Sequence, residues 1–165
     1  MPPWQRDIGR ALLQMPKVYF FDTGLVRGDD GARLENAVAT MLLKYTQYLQ
    51  DAHGKDSCLH YIRTKDGAEV DFALSDGDTL TDLIECKVAD SRPHRALVNF
   101  AVRFPEARPV QLVRDLRQEE FRNGVAISEA GVWLSKLAAE GAGEKGRGRR
   151  FGQTGPPPSV DCCQS

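Results

Sequence analysis

Gly67-Ala68-Glu69-Val70-Asp71-Phe72, followed by Leu83-Ile84-Glu85-Cys86-Lys87-Val88, is the stretch that decides the fold. Each run carries charged residues at alternate positions in an otherwise apolar β pattern. Side chains two apart on a strand share a face, so Glu69 and Asp71 project together, with Val70, Phe72 and Leu74 opposite. Glu85 and Lys87 repeat the arrangement, with Ile84, Cys86 and Val88 on the other face. Pairing of these strands predicts three carboxylates and an amine on one small patch. Oxygen donors of that kind hold a divalent cation, and a lysine beside them suits phosphodiester hydrolysis.

Outward from this hairpin, residues 59–64 read as a strand and 65–68 as the turn into Glu69. A second turn over 75–78 leads to a strand over 81–88. Leu97, Phe100, Ala101 and Phe104 form the apolar stripe of a helix over 93–104. A strand over 110–113 then closes a strand–helix–strand crossover, 124–127 reads as an edge strand, and 132–139 as a terminal helix.

On the N-terminal side, Leu34, Val38, Met41, Leu42, Tyr45 and Leu49 predict a helix over 32–50. Glu35 borders that apolar face. It either needs a partner or a metal, because burying a lone carboxylate is costly, or it is an exposed charge favoured by the helix dipole. Asn36 either hydrogen-bonds the loop above the site or caps the helix. Upstream, 17–21 is a β-branched and aromatic run, and Asp22 at its end caps the following turn. Residues 4–14 read as a short amphipathic helix, with Trp4, Ile8, Ala11 and Leu12 on one side, ended by Pro16.

A chain of 165 residues with 41% apolar and 27% charged residues suits one soluble domain with a real core. Its formal net charge of −1 gives no global basic field, so attraction to phosphate needs a local patch or a bound cation. Cys58, Cys86, Cys162 and Cys163 have neither zinc spacing nor the pattern of a disulfide framework. His53, His60 and His94 are scattered and read as ordinary histidines rather than zinc ligands. The opening residues lack a hydrophobic leader and no apolar run reaches membrane-spanning length, so a cytoplasmic protein with no membrane partner is expected. Beyond Gly141 the Gly-, Arg- and Pro-rich sequence can bury almost nothing. The expected division is a helical remnant over 1–16, a domain over 17–139 and a disordered tail over 140–165.

The order of a helix with Glu35, a hairpin with Asp71, then Glu85-x-Lys87 resembles the PD-(D/E)xK nuclease superfamily. The resemblance implies an α/β, restriction-endonuclease-like core: a mixed central sheet flanked by helices. It implies that Asp71 and Glu85 ligate Mg²⁺, that Lys87 orients or activates the attacking water, and that Glu35 assists metal or water. Glu69 is a possible further site carboxylate, and Arg63 and Lys65 are candidate phosphate contacts, with a solvated strand end as the alternative. Val70 stands where the superfamily motif has proline.

Four segments are also similar to a prokaryotic domain of unknown function that usually follows a AAA-type ATPase module. They are residues 16–25, Leu34-Glu35-Asn36-Ala37-Val38, Tyr61-Ile62-Arg63-Thr64 and Glu69-Val70-Asp71-Phe72. No phosphate-binding G-x-x-x-x-G-K-[ST] occurs in this chain, which therefore resembles the C-terminal piece of such a protein. Two functions follow as expectations. One is Mg²⁺-dependent cleavage of DNA phosphodiesters. The alternative is a non-catalytic module that binds nucleic acid or protein and partners a AAA-type ATPase.

Overall fold

The computed structural model describes residue 1, residues 17–64 and residues 67–143. The expected helix over 4–14, Lys65, and the tail beyond 143 lie outside the described residues. Helix α1 spans Asp30–His53 and starts where Asp29 accepts a hydrogen bond from Ala32 N–H through its side chain. It ends at Gly54, whose φ of 61° is the left-handed conformation that releases the chain from the helix. Strands β1 (Ser57–Arg63), β2 (Glu69–Asp76) and β3 (Thr79–Lys87) follow, then helix α2 (Arg95–Arg103) and β4 (Arg108–Val113). Short strand β5 (Glu120–Arg122), β6 (Val125–Glu129) and helix α3 (Ala130–Gly143) complete the order. The last helix thus runs past residue 139, where the apolar sequence stops.

The six strands form one mixed sheet in the order β1-β2-β3-β4-β6-β5. Strands β1, β2 and β3 are antiparallel, β3 with β4 and β4 with β6 are parallel, and β5 returns antiparallel to β6. The fold is α/β, as expected. The 124–127 segment is no edge strand: β6 lies inside the sheet, because Asn123-Gly124, both at positive φ, turn a hairpin that places β5 on the rim. Residues 17–20 are irregular rather than a strand, and Asp22 caps a single 3₁₀ turn over Thr23–Leu25.

Two cores flank the sheet. Val38, Ala39 and Leu42 of α1 and Leu137 of α3 pack on Leu59, Phe72, Leu74, Ile84, Val110 and Leu112. On the other side, Ala96, Leu97 and Phe100 of α2 pack on Ile62, Val70, Ala73, Leu80 and Leu83. Phe72 and Val70 therefore face opposite layers, although they are two apart. Pairing slips from His60↔Ala73 to Ile62↔Val70, two steps along β1 against three along β2. That extra residue is a bulge at Asp71–Phe72, and a bulge reverses the alternation on one side of itself.

A buried histidine gives the fold an acid-sensitive point. His60 is 9% exposed, its Nε2 meets Ser75 Oγ at 3.2 Å, and its Nδ1 has no hydrogen-bond partner. Burial pushes its pKa down to about 4. The fold holds the neutral ring, so this stability is complete above the unfolded value of about 6.5 and is lost as pH falls through 4, up to about 3 kcal/mol. His60→Leu is expected to narrow the gap between melting temperatures at pH 7.5 and pH 4.5. Identical acid-melting profiles for parent and variant would exclude His60 as the group.

Candidate functional site

The bulge fixes where the carboxylates go. The β2–β3 ladder closes at Phe72↔Ile84, and beyond it Asp71 Oδ2 accepts the Cys86 N–H at 2.9 Å, taking the place of a strand carbonyl. Asp71 thus sits where two strands part. Bulges often re-aim a side chain in this way beside functional sites. On β3, Leu83 packs in the α2-side core while Ile84 and Cys86 pack on the α1 side, so alternation sends Glu85 and Lys87 toward α2. The charged residues consequently straddle the end of the sheet. The expectation that they share one face is corrected by this register shift.

Glu85 is 3% exposed. Its Oε1 accepts from Lys87 Nζ at 2.6 Å, and its Oε2 is buried without a hydrogen-bond partner. His94, just before α2, places Nδ1 at 3.0 Å from Glu85 Oε1, but that nitrogen has no partner of hydrogen-bond geometry. Burial raises the Glu85 pKa further than Lys87 and the Asp71 N–H can lower it, so the net direction is upward. Burial pulls the Lys87 ammonium down, yet Glu85 and the charge of Asp71 outweigh it and leave the amine above its ordinary value. Lys87 is therefore a charged hydrogen-bond donor, suited to orient a water or balance negative charge rather than to remove a proton.

Behind this pair, Gln111 of β4 is completely buried. Its Nε2 donates to the carbonyls of Asp90 and Arg92 at 2.8 and 2.9 Å, and its Oε1 accepts from His94 N–H at 2.8 Å. Register places Gln111 beside Glu85. One amide thereby clamps the whole connection from β3 to α2 and sets His94 against the glutamate.

The α1 side is held by a lysine. Lys17 Nζ contacts Glu69, lies 3.1 Å from Glu35 Oε1 and 3.8 Å from Asp71 Oδ1. Tyr19 donates its hydroxyl to the same Glu35 oxygen at 2.6 Å. Part of the mutual repulsion of these carboxylates is thus answered by an ammonium from the chain. Glu69 is also paired with Arg63. Burial pushes Glu69 up, but Lys17 and Arg63 more than reverse it and its pKa is lowered. Asp71 goes the other way: burial, then the charges of Glu85 and Glu35, overcome the Cys86 N–H and Lys17 and push it to about 7.

Asn36 keeps this segment in place. It is 3% exposed, donates from Nδ2 to Phe20 O at 2.8 Å and accepts from Phe20 N–H at 2.7 Å. Of its two expected roles the loop contact is the one observed, and Asp29 is the cap. Asn36→Ala is expected to cost about 2 kcal/mol and to speed amide exchange at Phe20, because both backbone groups lose their partner. Urea unfolding with hydrogen exchange checks this, and unchanged exchange at Phe20 would contradict it.

Glu69, Asp71, Glu85, His94, Arg95 and Asn99 line an open cleft of about 800 Å³. Asp71 and Glu85 are thus brought to one cleft, with Lys87 against Glu85. Glu35 is engaged with Lys17 and Tyr19, Arg63 is engaged with Glu69, and Lys65 lies outside the described residues. Two features fit a divalent ion at the Asp71–Glu85 end: an unpartnered buried carboxylate oxygen, and a second carboxylate whose ionisation the fold disfavours. Among the described residues, no three His, Cys, Asp or Glu side chains are gathered into a metal cage. Two carboxylates are as many as an ion such as Mg²⁺ commonly takes from a protein, the rest of its shell being waters and phosphate oxygens.

Sequence reasoning missed Lys17, Tyr19, His94, Arg95 and Gln111 as parts of this site. Lys17 and Tyr19 stood in the noted run over 16–25 without a role, and a lone glutamine in a strand gives no signal. Among the described residues, no helix is long and apolar enough to cross a membrane. The sequence profile of one family, Domain of unknown function (DUF4143), matches residues 30–130, a span that holds Glu35, Asp71, Glu85 and Lys87 but not Lys17. No curated protein and no solved structure matches the chain.

Proposed function

This chain belongs to the DUF4143 family of domains of unknown function, and from that premise we propose that its cleft is a PD-(D/E)xK-type, nuclease-like site for metal-dependent cleavage of DNA phosphodiesters. The observation that carries the reading is the pair Asp71 and Glu85 in one cleft, with the Glu85 Oε2 unpartnered and Lys87 held at 2.6 Å from Oε1. Asp71 and Glu85 would hold a Mg²⁺ ion. A bound divalent ion supplies a water of lowered pKa and neutralises phosphate charge. Lys87 presents its ammonium where negative charge accumulates, worth roughly 10²-fold or more in rate. Glu35 acts at one remove, fixing Lys17 and Tyr19 beside Asp71. Arg95 on the cleft wall offers a phosphate contact, while Arg63 must loosen from Glu69 to offer another.

The test is nicking of supercoiled DNA with Mg²⁺ or Mn²⁺ by the parent, Glu85→Gln and Lys87→Met. Cleavage that fails in both variants while their circular dichroism stays native supports the reading. Cleavage at parental rate in either one sinks it.

One observation favours a second reading, the non-catalytic binding module. Val18, Phe20, Phe21 and Leu25 are exposed at 80%, 51%, 73% and 63%, an apolar row beside the site that suits a protein partner, of which a AAA-type ATPase is the one the resemblance implies. Association with DNA or protein that persists in EDTA, without cleavage, distinguishes it.

A further inference from the structure

Lys17 is the cation that three carboxylates share. Its Nζ contacts Glu69, donates to Glu35 Oε1 at 3.1 Å and lies 3.8 Å from Asp71 Oδ1, over the ring of the buried Tyr61. Two of the three carboxylates have other partners. Glu35 also accepts from the Tyr19 hydroxyl at 2.6 Å, and Glu69 is also paired with Arg63. Asp71 Oδ1, by contrast, has only Lys17 as a charged partner among the described residues. The other oxygen of Asp71, Oδ2, accepts the Cys86 N–H at 2.9 Å. At 3.8 Å the ammonium is beyond hydrogen-bond reach of Oδ1, yet opposite charges at that distance attract strongly in a partly buried site. The Lys17 and Asp71 side chains are 21% and 18% exposed, so water and salt screen them little. Asn36 keeps the ammonium from drifting, because it holds both backbone groups of Phe20, three residues on.

We propose that Lys17 is a positioning residue of the reaction: its ammonium draws Asp71 by Oδ1 against the hold of the Cys86 N–H on Oδ2, and so fixes how that carboxylate meets the cleft. The inference rests on the nuclease-like reading of Asp71 and Glu85, and adds to it a residue upstream of the matched span 30–130. Lys17 does not line the cleft, so it acts through Asp71 and touches no substrate. A reacting group displaced by about 1 Å can cost roughly 10²-fold in rate, which is the scale of what such a hold protects. What the site needs from Lys17 is its charge. Methionine keeps the stem that packs on Tyr61 and loses the charge, whereas arginine keeps the charge.

The experiment compares the full chain with its Lys17→Met and Lys17→Arg variants, first without metal and then in DNA nicking with Mn²⁺. Without metal, hydrogen exchange at the Cys86 amide should be severalfold faster in Lys17→Met, where Asp71 is held from one side only, and near parental in Lys17→Arg. In nicking, Lys17→Met should lower kcat by roughly 10- to 100-fold with KM nearly unchanged, and Lys17→Arg should recover most of that loss. If Lys17→Met does not fold, the side-chain ¹⁵N resonance of Lys17 decides. Asp71→Asn should shift it, and an unmoved resonance overturns the proposal. Parental nicking and parental Cys86 exchange in Lys17→Met also overturn it, and leave the reading of Asp71 and Glu85 standing. A nicking loss with the Cys86 amide unmoved does the same, because Lys17 then acts by another route. A parent that nicks no DNA removes the inference together with the reading beneath it.

Discussion

Asp71→Asn is expected to melt at a higher temperature than the parent at pH 8 and, in the same protein, to lose divalent-ion binding. The two effects share one cause. Burial and the neighbouring charges of Glu85 and Glu35 push the Asp71 carboxyl to about 7. The fold therefore favours the protonated acid. Stability from this group is complete below the unfolded value of about 3.9 and is lost as pH rises through 7. At pH 8 the ionised group costs on the order of 2–4 kcal/mol, shared with Glu85 because the two titrate together. Asparagine removes the charge and keeps an oxygen for the Cys86 N–H, which Asp71 now accepts at 2.9 Å. The gain should be roughly 5 °C at pH 8, shrinking toward zero at pH 4, where the parental acid is already neutral. Scanning calorimetry across that range checks it. A variant less stable than the parent at pH 8 would show that the Asp71 charge is satisfied within the fold and has no ion to wait for.

Lys87→Met is the second large expectation, and its sign is opposite. Glu85 is 3% exposed and Lys87 is the charged group that its Oε1 accepts from, at 2.6 Å. Taking away one partner of a buried ion pair leaves an uncompensated charge, at about 3–5 kcal/mol when both groups are fully enclosed. Here the Lys87 side chain is 32% exposed and water reaches it, so about 2 kcal/mol is the better figure. The double variant Lys87→Met with Glu85→Gln should recover most of that loss while remaining inactive in DNA nicking. Urea unfolding of the four proteins of the cycle measures the coupling. Equal stability of Lys87→Met and parent would mean that the pair contributes nothing.

The hairpin, the long helix and the crossover were legible because their signals are local: turn residues, a period of two, and a period of 3.6. The bulge at Asp71–Phe72 was not, because it comes from a mismatch of register between two strands, and alternation within one strand cannot report it. Yet the bulge is what moves Asp71 to the parting of β2 and β3 and puts Phe72 and Val70 in different cores. The site was half legible for the same reason. Asp71, Glu85 and Lys87 stood out as charges inside apolar strands. Lys17 came from an irregular segment held by Asn36, and His94 was placed by Gln111, so both depend on contacts across 16 or 17 positions of sequence. Asn123-Gly124, by contrast, was a readable hairpin signal, and attention to it would have put β6 inside the sheet.

The most direct test of the metal-dependent reading is titration calorimetry of the full chain with Mn²⁺ and with Mg²⁺ at pH 6 and pH 8, beside Asp71→Asn. An ion must displace the proton that Asp71 holds with a pKa of about 7. The account predicts binding at pH 8, about tenfold weaker binding at pH 6 with proton release into the buffer, and none in the variant. Affinity that is indifferent to pH and to Asp71→Asn, or no binding of either ion at pH 8, would contradict it.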